Sequence, residues 1–328
     1  MTATRKRVVV TGASSGIGAA TAIRFAQGGA ALVLVARGEA GLSDTAERCR
    51  AAGGEAHVLT ADVTDAVAVR RVAAEARELL GGIDLWFSDV GIGVVGRYGD
   101  VPIADHARVV DANLLGHMND AHAVLPIFLA QGHGIWVNMI SVGGFVATPF
   151  AAAYAASKFG LRGFAQALRG ELSQHPDIHV CDVYPTFVDT PGIGHAGNFT
   201  GGKLDLPYGA LAPDTVAKAV VRLADHPRNT TAVGAPAIVL KLAQFFAPNL
   251  GAAVVNGFMD SYFAHAELAP DTEGALFEAS PGVSGPDGMR RNPKQRRTAA
   301  MAAGGAAVAA LGIGAVLWRK RRAARSAE

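Results

Sequence analysis

Between residues 6 and 182, short apolar runs rich in β-branched side chains alternate with longer Ala-rich stretches of helical period, and Gly or Asp punctuates the joins. This alternation admits few folds. Strands that are apolar along their whole length need cover on both faces, and a parallel sheet with a crossover helix after each strand supplies it. The expected strands are Val8–Val10, Ala31–Val35, His57–Thr60, Leu85–Phe87, Gly134–Met139 and His179–Val183, with a seventh near Thr231–Val239. Right-handed crossovers would wind them in two directions. The expected fold class is therefore α/β: a doubly wound parallel sheet of about seven strands, followed by a C-terminal apolar helix.

The carboxyl-terminal third has a different texture. Residues 1–269 read as one body, with a Gly- and Pro-rich loop at 186–213 and an aromatic stretch, Leu240–Ala266, expected to pack on the core, with cover of the substrate mouth or of a partner as the alternative. Residues 270–297 have the Pro, Gly, Ser and Arg composition of a flexible linker. Thr298–Trp318 then runs uncharged for 21 residues, long enough as a helix to cross ~30 Å of hydrocarbon at ~1.5 Å per residue. That run is the candidate transmembrane helix, and 319–328 is a basic tail. An Ala-rich helix lying on an anionic membrane surface is the competing expectation. Basic clusters flank the run on both sides, so charge chooses no orientation. The first residues carry no long apolar stretch ending in a cleavage site, so a cytoplasmic body, with the membrane as an anchor at most, is the expectation.

Net charge is +2, but residues 290–328 hold ten Lys/Arg and one acid, so residues 1–289 carry 20 basic against 27 acidic side chains, a formal −7. That balance argues against nucleic acid as a partner of the body. Two cysteines, Cys49 and Cys181, lie far apart and form no disulfide or zinc pattern, and the histidines have no metal spacing.

Chemistry concentrates in three places. The first strand runs into Thr11-Gly12-Ala13-Ser14-Ser15-Gly16-Ile17-Gly18 and then a helix, a strand–turn–helix context in which glycines let backbone approach a ligand and helix amides attract a pyrophosphate. Tyr154 and Lys158, four residues apart, share one helix face. Ser141 precedes Tyr154 by thirteen residues. A free tyrosine ionises near pH ~10, so a tyrosine base working near neutrality needs roughly 4 kcal/mol of preferential phenolate stabilisation.

With these segments in place, the chain resembles the compact single-domain branch of the short-chain dehydrogenase/reductases over roughly residues 5–240. The resemblance implies a Rossmann-type sheet with a nicotinamide cofactor across its carboxyl edge. It assigns Gly12, Ser14, Ser15, Gly16, Ile17 and Gly18 to the pyrophosphate, and Asp62 and Val63 to the adenine. Val188 and Thr190 fall to the carboxamide side, and Ser141, Tyr154, Lys158 and Asn113 form the catalytic set, in which Tyr154 and Lys158 also touch cofactor. Ala36-Arg37 puts a cation where members using NAD carry an acid, which favours NADP over NAD because a guanidinium pairs with a ribose 2′-phosphate.

Two departures stand out. Ser88-Asp89-Val90-Gly91 replaces the usual Asn-Asn-Ala-Gly, and Thr186 replaces a glycine after Pro185. Ser88 and Asp89 are expected to keep a polar shelf under the ribose, while Thr190–Asn198, including His195, is expected to close over substrate as a mobile lid. The expected activity is NADP-preferring hydride transfer to or from a small apolar carbonyl or alcohol, by a homo-oligomer paired through the helices containing Asp105–Leu129 and Tyr154–Leu172. The rival is a non-catalytic, membrane-tethered dinucleotide-binding sensor or scaffold.

Overall fold

The computed structural model describes residues 5–205, 210–234, 259, 263, 265–279 and 284–288. Seven strands form one parallel sheet: β1 (Arg7–Thr11), β2 (Ala31–Ala36), β3 (Glu55–Thr60), β4 (Leu85–Ser88), β6 (Gly134–Met139), β7 (Ile178–Pro185) and β9 (Thr230–Val233). Their spatial order is β3-β2-β1-β4-β6-β7-β9. The chain builds outward from β1 through β2 to β3, then returns to β4 on the other side of β1. The switch point between β1 and β4 opens a crevice at the strands' carboxyl ends, where ligands bind in sheets of this type.

Strand parity explains the two cores. Val8, Val10, Leu32 and Leu34 face α1 (Gly16–Gln27), α2 (Glu39–Ala51) and α7 (Pro213–Leu223). Val9, Val33, Trp86 and Trp136 face α3 (Ala66–Leu80), α5 (Gly116–Gln131) and α6 (Ala152–Glu171). Successive side chains point to opposite faces, so a continuous apolar run feeds both. At the edge, β3 is only half covered, with Thr60 exposed.

The expected strands fall within the observed ones, the seventh as Thr230–Val233. Beyond Gly234 that expectation, most of the aromatic stretch 240–266 and the uncharged run 298–318 lie outside the described residues. No helix among the described residues is long and apolar enough to cross a membrane. A second, two-stranded parallel sheet pairs β5 (Val94–Gly96) with β8 (Gly197–Phe199) and rims the crevice.

The described part of 270–297 does not run free as a linker would. Thr272 and Asn198 exchange backbone hydrogen bonds at 2.7 and 3.0 Å, and Leu276 is fully buried with Val94, Val101 and Val109. Backbone pairing and one apolar anchor hold it, neither of which composition reveals.

Candidate active site

The turn between β1 and α1 is shaped by its glycines. Gly12 and Gly16 have φ of +78° and +60°, the left-handed region glycine enters without strain. A Cβ at Gly18 would stand 2.3 Å from the Gly12 carbonyl oxygen, so α1 can seat on the turn only with glycine there. Ser15 precedes α1 in extended conformation without a side-chain cap, and the first turn of the helix has no acid. The helix therefore presents an amino terminus whose dipole favours an anion.

A cavity of about 830 Å³ opens above this turn. Gly12, Ser14, Ser15, Gly16 and Ile17 line one part, and Arg37, Asp62 and Val63 another. Ser141, Tyr154, Lys158, Val188 and Thr190 line the third. Gly18 and Asn113 are not on the wall.

Asp62 accepts from the Thr64 amide and hydroxyl at 2.9 and 2.8 Å, and its other oxygen pairs with Arg108 Nη2 at 2.6 Å. Burial acts to raise its pKa, but these donors outweigh it and leave the carboxyl below its ordinary value. The cap of α3 is Asp65, which accepts from Val67 and Ala68, so Asp62 is left to the crevice. Sequence reasoning missed Arg108, a helix cation without a motif.

The polar shelf differs from expectation. Ser88 is buried inside the sheet, donating to Asp120 and accepting from Trp136 Nε1, both bonds within 2.8 Å. Asp89 alone reaches the crevice, because neighbouring strand residues point to opposite sides. Its carboxyl accepts from the Gly18 amide, and burial raises its pKa well above the usual value despite Lys158 and that bond.

The catalytic set converges from three elements. Ser141 lies just beyond β6 with φ +101°, an uncommon conformation for a side-chain-bearing residue and a strain that clusters at functional sites. Its Oγ accepts from the Gly143 amide at 3.2 Å, and the Tyr154 side chain lines the same cavity wall. Lys158 donates to the Met139 carbonyl at 3.1 Å. Burial lowers the Lys158 pKa to about 8, which Asp89 only partly opposes. Burial raises that of Tyr154, which Ser141 only partly offsets. Without a bound cofactor the site thus favours Tyr154 as a phenol.

Asn113 is fully buried in a π-helical turn, Asp111–Leu115, between α4 (Ile103–Val110) and α5. It exchanges hydrogen bonds with the Ile92 backbone at 2.8 Å each way and donates to Ser157 Oγ at 3.3 Å, while Ser157 donates to the Tyr154 carbonyl. It braces Tyr154 from behind.

The loop after β7 is tied down. Val188 bridges Leu211, the Thr190 amide donates to the Val188 carbonyl at 2.9 Å, and Pro191–His195 forms a 3-10 turn on the cavity wall. His195 accepts through its carbonyl from the Ala275 amide at 2.8 Å. Among the described residues, no group of three metal-ligating side chains is gathered.

The comparisons with known proteins agree with this geometry. The family model for short chain dehydrogenase matches residues 6–197. The uncharacterized oxidoreductase YxnA of Bacillus subtilis is 30% identical over 84% of this chain and 79% of its own. The ketoacyl reductase HetN of a Nostoc strain is 32% identical over 67% and 76%. Among solved structures, an alcohol dehydrogenase from Thermococcus sibiricus complexed with 5-hydroxy-NADP superposes with a TM-score of 0.61 at 28% identity, covering 70% of this chain and 95% of that one.

Proposed function

The chain belongs to the short-chain dehydrogenase family and is a dehydrogenase or reductase, and on that premise we propose that it transfers hydride between NADP(H) and a small apolar carbonyl or alcohol. The observation that carries this reading is that Ser141, Tyr154 and Lys158 line the same cavity as the glycine turn.

The residues fit a dinucleotide: the start of α1, which has no side-chain cap, suits a pyrophosphate, Asp62 and Val63 suit an adenine, and Arg37 suits a 2′-phosphate. When bound, the nicotinamide supplies or accepts the hydride. Ser141 donates to the substrate oxygen and fixes it beside Tyr154, stabilising the charge that develops there. Tyr154, held as a phenol by burial, delivers its proton to that oxygen in the reductive direction. Lys158 lies 5.7 Å from the ring centroid and adds positive potential. Asn113 is a positioning residue for Tyr154 and Ile92. The wall beside the triad carries Ile92, Val94, Val142, Phe187, Ile193 and Phe263, which supports an apolar substrate.

The test is NADPH consumption by the full chain with a panel of apolar ketones and aldehydes, beside Tyr154→Phe. Turnover in the parent and a loss of at least about 100-fold in the variant is expected; equal rates would refute the mechanism. Leu115, Leu129 and Phe159, exposed around α5 and α6, support pairing of two copies through those helices, which sedimentation at two concentrations tests. Membrane attachment rests on the sequence of 298–318, and complete recovery of intact protein in the low-salt supernatant would end it.

A further inference from the structure

The donors that would recognise a cofactor's phosphates are already engaged by the protein itself. Arg37 Nη1 donates to the carbonyls of Leu276 and Phe277 at 3.1 and 2.9 Å, and its Nη2 to those of Ala275 and Glu278 at 2.8 and 3.3 Å. Two terminal nitrogens carry four N–H groups between them, so these four carbonyls account for the whole forked face of the guanidinium. Arg108 Nε adds a bond to the Leu276 carbonyl at 2.9 Å while its Nη2 holds Asp62. The turn is seated by the buried Leu276 side chain, and Ala279 lies against Gly38 at the rim. Farther along, the Gly16 amide donates to the Gly285 carbonyl at 3.0 Å, Ser15 and Gly285 form a parallel bridge, and the Gly288 amide donates to the Asp189 carbonyl at 3.1 Å.

A single pattern covers both ends. Peptide carbonyls, neutral acceptors with partial negative charge, sit on the guanidinium that suits a 2′-phosphate and on an amide of the turn that suits a pyrophosphate. Near Tyr154, Ser141 and Lys158 the cavity stays open. At the adenosine end the Arg37 fork and the Gly16 amide are thus engaged by backbone carbonyls.

We propose that residues 275–279 and 284–288 form an intramolecular strap that stands in for cofactor phosphates, so that binding of a 2′-phosphorylated dinucleotide displaces the 275–278 turn from Arg37 and the strap sets the discrimination between NADP(H) and NAD(H). This rests on the nicotinamide-cofactor reading above. A ligand that binds only the strap-open state has its affinity reduced by the open fraction, and NADH, lacking the 2′-phosphate, has no need of the Arg37 fork. The penalty therefore falls more heavily on NADPH.

Hydrogen–deuterium exchange on the full chain tests displacement directly. Adenosine 2′,5′-bisphosphate and NADPH should speed exchange over 275–279, and AMP should leave it unchanged. Two strap variants test specificity. Leu276→Asp removes the apolar anchor; Gly285→Val forces a β-branched residue onto φ +84° without entering the crevice. Leu276→Asp should tighten NADPH about tenfold and NADH by less than about threefold, whereas Gly285→Val, which frees the Gly16 amide that the pyrophosphate of either cofactor needs, should tighten both alike; the exchange comparison of NADPH with AMP is the arbiter if Leu276→Asp fails to fold. Slower exchange over 275–279 with NADPH, or weaker NADPH binding in Gly285→Val, would make the strap a cover over bound cofactor and overturn the inference while leaving the enzymatic reading intact. No binding of either dinucleotide to parent or variants would overturn both.

Discussion

Lys158 and Tyr154 stand one turn apart on α6 with the ammonium nitrogen 5.7 Å from the ring centroid, and the ammonium is tied instead to the Met139 carbonyl at the end of β6. Lys158 thus acts on the tyrosine through space. Its pKa, lowered by burial to about 8, makes its charge available below that pH and lost above it. For the reductive reaction, kcat/KM for NADPH, which reports groups of the free enzyme, should be level below pH ~8 and fall about tenfold per unit above it. Lys158→Arg should lack that alkaline limb whatever its absolute rate, since a guanidinium stays charged. Lys158→Met should lose at least about 100-fold below pH ~8, with the gap to the parent closing above it. A Lys158→Arg profile that still breaks near the same pH would assign the limb elsewhere.

Gly143 offers a subtler probe of the same ring. A Cβ added there would lie 3.1 Å from Tyr154 Cε1 and 3.7 Å from Ser141 Oγ. The ring must yield by a few tenths of an ångström, enough to spoil the alignment of its hydroxyl. Gly143→Ala should lower kcat about tenfold or more while shifting the thermal midpoint little, because the contact is local and positioning errors of this size act on rate. A variant with unchanged kcat would mean that the tyrosine tolerates displacement.

Arg37 is where cofactor choice should be decided. Charge-assisted hydrogen bonds contribute about 1.5–3 kcal/mol each way, so Arg37→Ala should weaken NADPH roughly 10–100-fold. NADH should change by no more than about threefold. Calorimetric titration of both cofactors reads the ratio; equal losses would make Arg37 a wall rather than a 2′-phosphate partner.

The layered sheet was legible because burial leaves a direct trace in composition: Val8 and Val10 face one helical layer and Val9 the other, so the run had to be apolar throughout. The glycine turn was legible for a similar reason, since Gly12 and Gly18 meet atoms that exclude a Cβ. By contrast, β5 and β8 are three residues long and contain glycine, too short for any period to register. The sides taken by Ser88 and Asp89 follow from strand parity, but only once the end of β4 is known. The strap left the least trace, because its grip on Arg37 is made by four backbone carbonyls that any sequence would offer, and its fully buried anchor, Leu276, is a leucine in a linker-like stretch.

Beneath the crevice, Asp120 accepts from the hydroxyls of Thr11 and Ser88 at 2.7 Å each and ties β1 and β4 to α5. Burial raises its pKa to about 6, against the opposing pull of those bonds. A raised carboxyl pKa means that the folded protein binds the proton more tightly than the unfolded chain. The associated stability is fully present below the unfolded value near pH ~4 and is lost as pH rises through about 6. The loss amounts to roughly 3 kcal/mol at most, by the linkage between the two pKa values. Asp120→Asn retains a carbonyl acceptor for both hydroxyls but cannot ionise. Its stability relative to the parent, from urea titrations, should therefore rise between about pH 4 and 6.5 and be flat above. A difference independent of pH would place the Asp120 proton elsewhere in the network that joins β1, β4 and α5.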